Sequence, residues 1–100
     1  MFHCVILFRL HSGITLEKVR GAREQLQALV ETLPGVEHFA VTHNVAAESG
    51  GFNLALFSGF QDKSACDIFL RHPEYVRVRD EELGPLVEKR IVALGEDDPA

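Results

Sequence analysis

The sequence lacks a surplus of basic residues: ten Lys and Arg stand against fifteen Asp and Glu, for a formal net charge of −5. A nucleic-acid surface needs a basic patch. The one local cluster here, Arg77 and Arg79, runs straight into Asp80, Glu81 and Glu82, so nucleic acid is not an expected partner. Long apolar runs are missing as well, and none approaches the roughly 18 residues of a membrane helix. The opening "MFHCVILFRL" has neither a positive stretch ahead of its apolar residues nor a small-residue cleavage site, which leaves no export signal to read. A cytoplasmic protein without membrane partners is the expectation. Cysteine is scarce too: Cys4 and Cys66 are the only two, without C-x-x-C spacing, and read as buried free thiols.

Motifs for demanding chemistry are equally few. His11, His38 and His43 form no H-x-x-x-H pair, and His38 and His43 lie five apart on an expected strand, so they point to opposite faces. The loop "ESGG" (48–51) has neither the lysine nor the following helix of a phosphate cradle, and no serine sits in a G-x-S-x-G elbow. No metal, haem or other cofactor is implied.

What is present is a single domain's worth of patterned structure, 100 residues of which 46% are hydrophobic. "FHCVILFRL" (2–10) predicts a strand, with Phe2, Cys4, Ile6, Phe8 and Leu10 on one face and His3, Val5, Leu7 and Arg9 on the other. Thr15 stands as the N-cap of a helix over 16–33, and "LPG" (33–35) stops it. Strands follow at 36–45 and 52–60. Asp62 or Ser64 caps a second helix that Pro73 interrupts, "YVRVRDEEL" continues as a short helical turn, and a last strand runs over 86–94. The remainder, 94–100, reads as a frayed tail.

This α+β order, βαββαβ, is the ferredoxin-like plan: a four-stranded antiparallel sheet with both helices on one face. A sheet covered on one side should alternate apolar and polar residues. The first and third strands are instead apolar on both sides, so the second face calls for a cover, and another copy of the same sheet is the simplest one. Phe2, Cys4, Ile6, Phe8 and Phe57 are assigned to that homodimer interface.

The opening strand, the junction "LPGVEHFAV", the stretch "FNLALFSGFQDKSACDIFLRHPEYV" and "LGPLVEKRIVAL" together resemble the stress-responsive dimeric α/β-barrel (Dabb) domain family over roughly residues 2–94. The resemblance implies sheets paired face to face across a two-fold axis into a barrel. One activity within that family is the plant olivetolic acid cyclase reaction, an aldol closure of a linear polyketide in a pocket between sheet and helices. Carried over by position, its first-strand histidine falls on His3. Its other three polar positions fall on Leu54, Phe69 and Tyr75, so the fold transfers and that mechanism does not.

The resemblance thus implies a pocket lined by His3, Val5, Leu7 and Leu54 with Leu56, Phe69, His72 and Tyr75. Such a lining suits a small aromatic or polyketide-like carbonyl compound. His3 and Tyr75 are its acid–base candidates, although a histidine among aliphatics is more often a hydrogen-bonded core group. His72, in the last turn before Pro73, is expected to serve helix-end carbonyls. Three functions stay open: ligand binding without turnover, a structural or stress-associated homodimer without ligand, and a cyclase or isomerase using His3 and Tyr75.

Overall fold

The computed structural model describes residues 1–97. Strand β1 (Phe2–Leu10) leads into helix α1 (Leu16–Val30), followed by β2 (Val36–His43) and β3 (Leu54–Phe60). Helices α2 (Lys63–Arg71) and α3 (Pro73–Arg77) come next, then a wide π-helical turn (Val78–Leu83), a 3-10 turn (Gly84–Leu86) and β4 (Val87–Glu96). The strands lie in the order β2-β3-β1-β4, every neighbouring pair antiparallel. This is the ferredoxin-like arrangement.

Local chemistry sets the element ends. Helix α1 stops at Val30, three residues before the expected Leu33. The Thr32 hydroxyl and amide both donate to the Leu29 carbonyl, and Pro34 disfavours helical backbone at Leu33. Gly35 then takes a positive φ of 83°, and a Cβ there would lie 2.8 Å from that of Ala65, so only glycine fits the turn. Strand β2 ends at His43 because Asn44 turns away to bind the Phe52 carbonyl and the Ala46 amide. Of the two candidate caps for α2, Asp62 serves: its carboxylate accepts from the Ala65 amide at 2.9 Å. The expected frayed tail is paired through its first residues, since β4 stays in register with β1 as far as Glu96 opposite Phe2. Residues 98–100 of that tail lie outside the described residues. None of the helices described is long and apolar enough to cross a membrane.

The core lies between one sheet face and the helices, and its composition corrects the expected orientation of β1. Phe2, Cys4, Ile6, Phe8 and Leu10 are buried there against Val19, Leu26, Cys66, Phe69 and Tyr75. Phe2, Cys4, Ile6 and Phe8 therefore do not belong to the open face. That face carries the other parity: Val5 opposite Phe57 and Ala93, and Leu7 opposite Ala55 and Ile91. Of the five residues assigned to the interface, only Phe57 points outward, and it is 42% exposed. The physical reason is visible along the strand. His3 and Arg9 share the second parity, whereas the first is apolar throughout, and the fully apolar set takes the drier side. Both cysteines are buried and unbridged. Burial pushes the Cys4 thiol up and the Cys66 thiol to about 12, so neither supplies a thiolate.

Candidate functional site

The His-Pro step at 72–73 builds the corner on which the site rests. A residue before proline is driven to extended backbone, and His72 adopts φ −62° and ψ 132° between α2 and α3. Pro73 occupies the first turn of α3, where its missing N–H costs nothing. The His72 ring does not serve the carbonyls of the helix it ends. Its Nδ1 accepts from the Glu74 amide at 3.1 Å, capping the helix that follows. His72→Ala should therefore lower stability by about 0.5–2 kcal/mol, while His72→Asn, a good cap, should stay close to the parent. Chemical denaturation midpoints read both, and equal losses for the two variants would rule out the capping role.

Capping directs Tyr75 inward. The residue is 3% exposed, its ring centroid 4.7 Å from that of Phe69, and the Arg79 guanidinium lies over the ring, 5.9 Å from its centre. Burial pushes the phenol up, and Arg90 and Arg79 pull back against it without reversing the shift. The phenol is thus held neutral, a hydrogen-bond donor and not a base.

The eight expected pocket residues do not share one space. Leu54, Leu56, Phe69 and Tyr75 converge on the helix side, but each is at most 3% exposed and they fill the layer with side chains. His72 stands at the helix corner. His3, Val5 and Leu7 lie across the sheet on the open face. His3 pairs with Gly59 on β3 and Gly95 on β4, and its Nε2 donates to the Asp97 carboxylate at 2.8 Å. This contact holds the Asp97 carboxyl below the usual carboxylate range. The sheet separates His3 from Tyr75, so the two acid–base candidates cannot act on one ligand within this chain.

A cleft opens at the edge of the same layer. It measures about 260 Å³, and Phe8, Leu83, Gly84 and Val87 form its apolar part. Arg79, Asp80, Glu88, Lys89 and Arg90 supply the polar atoms. Its geometry follows from two features. Arg90 stands directly opposite Phe8 in the β1–β4 ladder, which brings its guanidinium beside the apolar floor. The π-helical turn widens the backbone at Val78–Leu83, a distortion often found at functional sites. Arg79 is tied to Asp80 by two hydrogen bonds of 2.8 and 3.1 Å, and Glu88 lies 3.4 Å from Arg9. None of the expected pocket residues lines this cleft. Phe8, assigned to the interface, is its floor. A second groove of about 340 Å³ lies between α1 and β2, with Arg23, Glu24 and Gln27 above Ala40 and Val41. It is the larger of the two and exposes more apolar surface, although Ala40 and Val41 are its only apolar residues. Among the described residues no three of His, Cys, Asp and Glu gather as a metal site.

Comparison with known proteins agrees with this architecture. The sequence profile of the family described as "Stress responsive A/B Barrel Domain" (Dabb) matches residues 2–93. No curated protein matches the chain. Among solved structures, it is similar to a dimeric protein of unknown function and ferredoxin-like fold from Bacteroides fragilis NCTC 9343. Identity is 22%, coverage 96% of this chain and 95% of that one, and the TM-score 0.78. A dimeric ferredoxin-like protein of unknown function from Jannaschia sp. CCS1 matches at 19% identity, with coverage of 96% and 98% and a TM-score of 0.82. The hydroxynitrile lyase of Passiflora edulis matches at 17% identity, with coverage of 98% and 96% and a TM-score of 0.77. At these identities the likeness is one of fold.

Proposed function

We propose, from the premise that the chain belongs to the stress-responsive A/B barrel domain family, that it is a homodimer binding a small aromatic carbonyl compound in the cleft above Phe8. The observation that carries this reading is the cleft itself, where Gly84 and Val87, backed by the buried Phe8 and Leu83, meet convergent polar groups. That combination is the usual signature of a ligand site. At about 260 Å³ it falls below the roughly 300 Å³ at which drug-sized pockets begin, so the occupant is about the size of one ring with short substituents.

Binding without turnover fits this lining better than catalysis. Of the two carboxylates lining the cleft, Glu88 is drawn to Arg9, and Asp80 is occupied by Arg79, which holds its carboxyl below the usual range, so Asp80 is a poor proton acceptor. A neutral Tyr75 behind Arg79 supports the ring stack and supplies no base. Amide spectra recorded against a panel of small aromatic aldehydes, ketones and acids test the reading. Shifts confined to Leu83, Gly84, Val87 and their neighbours are expected. If every compound leaves those amides unmoved at millimolar concentration, the cleft is not a ligand site.

The second half of the proposal, the homodimer, rests on the open sheet face. Phe57 and Ile91 are 42% and 44% exposed there, with Val5, Leu7 and Ala93 between and beside them. A contiguous apolar surface of this kind marks an interaction site. A second copy of the same sheet would cover it, and solved proteins of the same fold are described as dimeric.

A further inference from the structure

We infer that the occupant of the cleft is an organic anion, a small carboxylate with an apolar or aromatic body, whose charge is met by Arg90. The inference rests on the cleft being a ligand site and adds the chemical class. The charges around the cleft are not equivalent. Arg79 and Asp80 satisfy each other through a two-point contact, and Glu88 is drawn to Arg9. Arg90 has no carboxylate within ion-pairing distance among the described residues. It nevertheless stands across the ladder from Phe8, close enough to draw the Asp80 carboxyl downward and to oppose the upward shift of Tyr75. After the internal pairs are discounted, the lining therefore keeps a positive surplus from Lys89 and Arg90.

Geometry separates those two cations. Lys89 is opposite Arg9, on the parity of the open face, whereas Arg90 is opposite Phe8, on the parity of the core. Arg90 is thus the cation whose side chain shares the face of the apolar floor. A planar guanidinium presents two parallel N–H donors to a carboxylate. Val87 and Gly84, with the buried Phe8 and Leu83 behind them, supply the surface for the ligand's body. A neutral carbonyl compound would use the floor and leave the guanidinium with water.

Benzoate and benzamide, equal in size and differing in charge, separate the possibilities in titrations followed by amide spectra. Wild type should bind benzoate about tenfold more tightly than benzamide, with a preference that shrinks as salt is raised. Arg90→Gln should bring benzoate down to the benzamide affinity with an unchanged melting temperature, because Arg90 is exposed and forms no ion pair among the described residues. Equal affinities in the wild type would overturn the anion assignment and leave the cleft reading standing. A charge preference that survives Arg90→Gln would overturn the role of Arg90. Failure of both probes to move the Leu83–Val87 amides would remove the cleft reading and this inference together.

Discussion

Phe57→Asp should convert a two-chain particle into single chains that keep their secondary structure. Phe57 lies near the centre of the open face, opposite Val5 on one side and Ala40 on the other. Covering such a side chain stabilises by about 1.5–3 kcal/mol, and two-fold symmetry counts every contact twice. A carboxylate in its place would be buried without a partner, at a further cost of several kcal/mol. In the separated chain the same carboxylate faces water and costs little, so the helical and strand signal survives. Phe8→Asp provides the contrast. Phe8 is 2% exposed beneath the helical layer, and a charge there should unfold the chain outright. Light scattering at micromolar concentration reads the first variant and far-ultraviolet dichroism the second. A wild-type mass of one chain, or a Phe57→Asp variant that stays paired, would refute the interface.

Phe69→Ala should lower stability by about 3–5 kcal/mol, the usual loss for a large buried ring. Three aromatic partners surround it: Phe39 at 6.0 Å, Phe60 at 5.8 Å and Tyr75 at 4.7 Å between ring centres. Those partners come from β2, β3 and α3, so one deletion loosens three elements at the point where α2 meets the sheet. A domain of this size has about 5–15 kcal/mol in total, and the variant should be near its folding limit at room temperature. Urea titrations at one fixed chain concentration measure it, since association adds to apparent stability. A loss under about 1 kcal/mol would mean that the layer closes over the gap, contrary to a tightly packed ring cluster.

The architecture was legible because each element carries its own local signal. The strand parities, the Asp62 cap, the Pro34-Gly35 stop and the His72-Pro73 break all act over four residues or fewer. They yielded the element order and hence the ferredoxin-like sheet. Orientation needed one comparison more. In β1 both parities are apolar, and the resemblance places His3 in a pocket between sheet and helices, so its parity is expected on the helix side. The decisive residue is Arg9, six residues on, since a parity holding both His3 and Arg9 belongs to the wetter face. In β3, Leu54 and Leu56 face the helices and Phe57 faces away, on the sides expected of them.

The cleft was hidden for a different reason. Arg79, Arg90 and Phe8 are remote in sequence and meet only through the β1–β4 register and the π-helical turn. Neither has a short-range signature. "YVRVRDEEL" announces a helix, and nothing in its spacing distinguishes a π-helical turn from an α-helical one. The role of His72 was half visible. A ring before proline marks a helix end, but whether it faces the helix behind it or the one ahead depends on backbone angles that composition does not reveal.

Tyr75 gives the molecule an optical consequence. It is the only tyrosine, and there is no tryptophan, so near-ultraviolet dichroism and intrinsic emission above the phenylalanine background come from one ring. That ring packs against Phe69 and Arg79 at the junction of α3 and the π-helical turn. Its spectrum therefore reports tertiary packing at this corner, separately from the backbone signal of the whole chain. The proposed occupancy of the cleft would thus be read without a label for any compound that does not itself absorb in that range, since Tyr75 lies against Arg79 of the cleft lining.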